Sequence, residues 1–182
     1  MAKHLKSQEG LRILDFGPTS AGNINFITEL GHSVYMASLV EDAARPDYRI
    51  AASGEDPESF DVTAFLAHNL DFAGRSFDVV LFWDTADYLP LPLVQPVIDR
   101  LFDVMDPGGQ LLAFFHSKTT GDDTEFTRYH LTNTEQLDLQ RIGGHVVLQT
   151  FTNRQVEALF TRYAGYKFFL AKDALREVTV TR

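Results

Sequence analysis

The chain has 182 residues, 45% of them hydrophobic and 23% charged, a balance that suits one globular domain with its own core. It contains no cysteine, which excludes thiolate catalysis, disulfides and cysteine-ligated zinc. A formal net charge of −9 repels a phosphate backbone, and Arg100, Lys118, Arg128 and Arg141 are too scattered to form a basic patch, so no nucleic-acid partner is expected.

The opening, MAKHLKSQEGLRIL, has no signal-peptide core, and no later apolar run approaches a membrane span. A cytoplasmic protein without a membrane partner is the expectation, with a single domain over residues 1–182. Residues 11–16 (LRILDF) form a short apolar run closed by Gly17-Pro18 and read as a buried strand. Residues 20–30 place Ile24, Ile27 and Leu30 at helical spacing, with Gly31 as the stop. Residues 33–39 (SVYMASL) read as a second strand. Residues 45–58 are polar, with Pro46, Gly54 and Pro57, and read mostly as loop; Asp56 or Ser59 is expected to open a helix through Phe60, Phe65 and Leu66.

Residues 77–83 (FDVVLFW) are apolar on both faces apart from Asp78, the pattern of a parallel strand covered on both sides. A helical stripe of Val94, Val97, Ile98, Leu101, Phe102 and Met105 follows over residues 92–104. Asp106-Pro107-Gly108-Gly109 then forces a turn into a strand over 111–116 (LLAFFH). Alternating strands and helices imply right-handed crossovers and one parallel sheet. Residues 118–149 are irregular and polar, an expected lid or interface. A helix over 153–163 is capped by Thr152 or Asn153. The strands 166–170 (YKFFL) and 177–181 (EVTVT) are separated by only six residues, 171–176, too few for a crossover, so they should pair antiparallel.

These segments resemble, from Leu11 to Arg182, the class I S-adenosylmethionine-dependent methyltransferases. LRILDFGPTSAGN is similar to the family's first motif, SFDVVLFWDTADYLP to its fourth strand and edge, MDPGGQLLAFFH to its Gly-Gly turn and fifth strand, and FTNRQVEALF…YKFFLAKDALREVTVTR to its final helix and hairpin. The resemblance implies an α/β, Rossmann-like three-layer sandwich. Its sheet would be mostly parallel and seven-stranded, with an antiparallel seventh strand between the fifth and sixth. It also implies S-adenosylmethionine as cofactor and methyl transfer to a small-molecule or protein acceptor.

On the residues themselves, a strand ending in Asp15 delivers a tight turn whose N–H groups lead into a helix N-terminus, at the edge where open α/β sheets bind ligands. The resemblance assigns Asp15, Gly17, Pro18 and Thr19 to the cofactor's amino-acid end. It assigns Ser38 to the place of the ribose-binding acid, and the stretch before SFDVV, with Leu66, His68, Asn69 and Asp71, to the adenine side. It places Trp83 and Asp84 beside the cofactor's methionine part. The family's D-x-G-x-G-x-G reads D15-F-G17-P-T19-S-A21 here, so only the first glycine is kept, and Ser38 replaces the acid, with Glu41 and Asp42 close by. That departure supports a second reading, a catalytically inactive member acting as a binding or scaffold protein. A nicotinamide oxidoreductase is disfavoured because G-x-G-x-x-G is absent.

Tyr88, His116, Tyr129 and His130 are candidates for the acceptor side, since a histidine titrating near neutrality accepts protons from hydroxyls or amines. No histidine pair has ligand spacing, so no metal is expected. The catalytic residue is not assigned, because the methyl group is already activated and positioning carries the rate. From the short lead before the first strand, the cleft is expected to be covered by residues 118–150, by a partner or by nothing. The aromatic tail (Phe151, Phe160, Tyr163, Tyr166, Phe168, Phe169) suggests a homo-oligomer.

Overall fold

The computed structural model describes residues 1–54, 57–119, 124–134, 136–170 and 175–182. Strand β1 (Arg12–Asp15) is second from the edge of a six-stranded sheet, between the edge strand β2 (Ser33–Met36) and β5 (Phe77–Trp83). Beyond β5 come β6 (Met105–His116), β10 (Leu175–Thr181) and β9 (Ala164–Leu170). Pairs β1–β2, β1–β5 and β5–β6 are parallel, whereas β10 runs antiparallel to both β6 and β9. The final strand is therefore inserted between its two predecessors, as the resemblance implies.

The strand count is a correction: among the described residues the sheet has six strands, not seven. Residues where another edge strand beyond β2 would run instead pair with each other as β3 (Arg49–Ile50) and β4 (Ser59–Phe60). Pro46 precedes β3 and Pro57 lies between β3 and β4, and neither can donate to a ladder. The second strand also stops earlier than its sequence suggests. Leu39, Val40 and Ala43 form a one-sided apolar stripe, all buried, so residues 39–44 become helix α3 (Leu39–Ala44). Helix α4 (Val62–Asn69) opens at neither Ser59, which is in β4, nor Asp56, which lies outside the described residues. Its N-cap is Asp61, whose carboxylate accepts from the Ala64 N–H at 2.9 Å.

Two layers of helix flank the sheet. On one face α4, α6 (Leu91–Val104) and α7 (Asn153–Leu159) bury Phe65, Leu93, Val97, Ile98, Leu101, Val156 and Leu159. Each such side chain contributes about 1.5–3 kcal/mol of transfer free energy. The other face is covered by α1 (Ala2–Ser7), α2 (Ala21–Glu29) and strand β7 (Thr127–Leu131), through Leu5, Phe26, Ile27, Tyr129 and Leu131. At the start of β6 the register jumps, from Phe77 opposite Met105 to Val79 opposite Gln110. Gly109 permits this: a Cβ there would stand 2.9 Å from the Asp106 carbonyl and 3.1 Å from that of Asp78.

The irregular segment is another correction. Thr127, Tyr129 and Leu131 point inward with Arg128 and His130 between them, a period of two, and β7 pairs with β8 (Leu137–Arg141) as a separate antiparallel hairpin. Gly121, the acidic pair Asp122-Asp123 and residues 171–174 lie outside the described residues.

Candidate functional site

The carboxyl ends of β1 and β5 meet where connections diverge to opposite sides of the sheet, and Asp15 is fully buried there. Its Oδ1 accepts from the Gly17 N–H at 3.0 Å and from the Trp83 indole N–H at 2.6 Å, while Oδ2 accepts from the Asn23 amide at 3.0 Å. Burial pushes the Asp15 pKa up, against these three donors, which favour the charged form. Ser20 caps α2 by accepting from the Asn23 N–H at 3.0 Å, and its hydroxyl also lies 2.8 Å from His130 Nδ1. Asn23 then reaches across to β7, donating to the Tyr129 carbonyl at 3.0 Å and accepting from the Leu131 N–H at 2.7 Å.

Trp83 ends β5 with φ +50, a left-handed conformation that costs a bulky residue about 1–2 kcal/mol. This backbone accompanies a return of the indole over the first turn. A Cβ on Gly17 would stand only 3.0 Å from the indole, so Gly17 is required by the tryptophan itself. Tyr129 stacks on the indole, with centroids 5.0 Å apart and planes inclined by 6°, and Phe114 borders both.

Beneath this aromatic pair, Tyr129 donates its hydroxyl to Asp84 Oδ2 at 2.8 Å. Burial pushes the Asp84 pKa up to about 7, although His116 and the Tyr129 hydroxyl both favour its charged form. Asp87 Oδ2 accepts from the His116 backbone N–H at 2.6 Å and lies 2.9 Å from His116 Nδ1; burial raises the Asp87 pKa as well. His116 Nε2 stands 4.0 Å from Asp84 Oδ2, and Arg176 on β10 donates to the His116 carbonyl at 3.0 Å. Tyr88 meets His116 edge-on and donates to the Thr124 carbonyl at 3.1 Å.

Asp15, Gly17, Pro18, Trp83 and Asp84 thus converge in one buried cluster. Thr19 is exposed and Ser38 half-buried at the start of α3, and neither hydroxyl has a hydrogen-bond partner among the described residues. Asn69 is engaged elsewhere: its amide donates to the Tyr48 hydroxyl at 3.0 Å and the Phe65 carbonyl at 2.9 Å. Glu41 and Asp42 sit in the first turn of α3, Glu41 exposed and Asp42 3.7 Å from Arg45. Sequence reasoning missed Asn23, whose signal is a polar residue at a position facing the core, and the Asp87–His116 pair, which joins two elements remote in sequence.

Compared by sequence, the chain matches no family model and no curated protein. Compared by structure, it is similar to an S-adenosylmethionine-dependent methyltransferase of Methanosarcina mazei, with a TM-score of 0.56 and 16% identity over 99% of this chain and 96% of that one. The magnesium protoporphyrin IX methyltransferase of Synechocystis PCC 6803, solved with bound S-adenosylmethionine, gives 0.54 and 14% over 100% and 76%. A Bacteroides fragilis methyltransferase in complex with S-adenosylhomocysteine gives 0.55 and 12% over 99% and 76%. The chain has the fold of the class I S-adenosylmethionine-dependent methyltransferases.

Proposed function

We propose that the chain is an S-adenosylmethionine-dependent methyltransferase whose cofactor lies at the carboxyl edge of β1, between the Gly17–Thr19 turn and the start of α3. The observation that carries this reading is the Asp15 knot. A buried carboxylate fixes the turn, its tryptophan wall and the α2 N-terminus at the edge where this fold takes its ligands. When bound, the cofactor supplies a methyl group on a positively charged sulfur, and a lone pair of the acceptor forms the new bond as the carbon–sulfur pair returns to sulfur.

The side chains present suit such a group with a weaker set of anchors. The free hydroxyls of Thr19 and Ser38 flank the turn and can exchange hydrogen bonds with sugar hydroxyls. Asp15 and Asp84 act indirectly, by orienting Gly17, Trp83, Asn23 and Tyr129, and the stacked Trp83–Tyr129 pair keeps water from the sheet edge. Without a carboxylate at Ser38, binding loses a charged hydrogen bond worth about 1.5–3 kcal/mol.

Calorimetry with S-adenosylhomocysteine tests the proposal. The chain should bind it, and Ser38→Asp should tighten binding by roughly 10- to 100-fold. Absence of heat up to millimolar ligand, in both proteins, would remove the reading. One observation favours a second reading, a non-catalytic scaffold: the indole of Trp83 takes the space over Gly17, and the carboxylates of Asp15 and Asp84 are both engaged within the chain. The same silent calorimetry would favour it.

A further inference from the structure

Beside the Asp15 crevice the chain forms an apolar groove of its own. One cavity of about 230 Å³ is lined by Val40, Ala43, Tyr88, Arg49, Pro90 and Leu148, among others. A second, of about 340 Å³, is lined by Phe60 and Pro92 and shares Arg49, Pro90 and Leu148 with the first. The second alone reaches the size range of small-molecule sites, which begins at roughly 300 Å³.

The groove's outer wall is held in place. Val147 is buried with Val40, Tyr88 and Phe126, which leaves its neighbours Val146 and Leu148 facing outward, 72% and 53% exposed. The Leu148 N–H donates to the Asp87 carbonyl at 2.8 Å, and Gln149 donates to the carbonyls of Ala86 and Leu89, both at 2.8 Å. Leu91, 63% exposed, adjoins the same wall between Pro90 and Pro92. Exposed aliphatic side chains gathered round a concavity mark a binding surface.

Arg49 stands where the two cavities join. Its guanidinium lies 3.3 Å from Glu58, but both side chains are 58% exposed, so solvent screens the pair and leaves the arginine exchangeable. A guanidinium fork beside apolar walls suits a carboxylate or similar anion. The groove starts at Val40, two residues along α3 from Ser38, and at Tyr88, just past Asp84.

We propose that this groove is the methyl-acceptor site, and that the acceptor is a small apolar molecule carrying one anionic group, which Arg49 receives. The assignment as acceptor site rests on the methyl-transfer reading; the ligand chemistry rests on the groove alone. The test is titration of the full chain with 2-naphthoate and with uncharged 2-naphthalenemethanol, each without and with saturating S-adenosylhomocysteine. Both probes should saturate one site and bind alongside S-adenosylhomocysteine. Arg49→Gln should weaken naphthoate by about ten-fold or more while leaving the alcohol nearly unchanged, and Leu148→Asp should weaken both by a similar factor. Both positions are exposed, so melting temperatures near that of the unmodified chain confirm that the variants fold.

No saturation up to millimolar probe, affinities unmoved by both substitutions, or competition with S-adenosylhomocysteine would each overturn the proposal. Failure of the methyl-transfer reading shows differently, as naphthoate binding that follows the expected pattern with no S-adenosylhomocysteine heat.

Discussion

Two aspartates at strand ends do different work. Asp15 meets three N–H donors and shapes the turn, whereas Asp84 has the Tyr129 hydroxyl and a histidine at 4.0 Å, with burial as the larger influence. An unfolded Asp84 releases its proton near 3.8, but the folded chain holds it until about 7. Between those values the native state binds more protons, so this residue's contribution to stability is fullest at low pH and is lost as pH rises towards 7. Asp84→Asn cannot titrate. In urea unfolding, the loss of stability between pH 5 and pH 7.5 should be smaller in Asp84→Asn than in the unmodified chain, by about 2–3 kcal/mol. Parallel profiles would show that Asp84 titrates normally. The carboxylates of Asp15 and Asp87 are raised in the same direction and stay in both proteins, so their contributions appear in both profiles. Asp15, Trp83 and Asp84 were legible in the sequence because each closes an apolar run at a strand end. The true constraint on Gly17 was not, since it comes from an indole 66 positions later folding back.

The β7–β8 hairpin covers the Asp15–Trp83 cluster through Tyr129 and the Asn23 bonds. Two five-residue strands are too short to announce themselves in a polar stretch, and their alternation becomes visible only once Tyr129 has a surface to face. Helix α3 is equally short, with six residues, and its opening SLV continues the apolar pattern of β2, which is why it reads as strand. The hairpin is tied to the sheet mainly through Asn23, which bonds the main chain on either side of His130 and the Asp15 carboxylate together. Asn23→Ala removes these bonds and leaves the buried Leu131 N–H unpaired, at a cost of about 1–3 kcal/mol. Amide exchange over residues 127–131 should then accelerate well before that of β1 and β5. Uniform acceleration across the sheet, or none, would show that the hairpin is held by Tyr129 packing instead.

At the scale of the whole molecule, the parallel sheet was readable from the strand–helix alternation and the closing antiparallel pair from the short final connection, which rules out a crossover, whereas the insertion of the last strand in the order β2-β1-β5-β6-β10-β9 was legible only through the family resemblance. The missing edge strand was not, because residues 49–60 carry too little apolar pattern to say which partner they choose. The topology places the only tryptophan of the chain, Trp83, directly against the turn proposed to hold the adenosyl ligand. Titration of S-adenosylhomocysteine followed by the emission of that single tryptophan is therefore the most direct measurement. The account predicts a saturable change in emission, with the same dissociation constant as calorimetry. A spectrum that stays flat up to millimolar ligand, in a protein that also gives no heat, would contradict it.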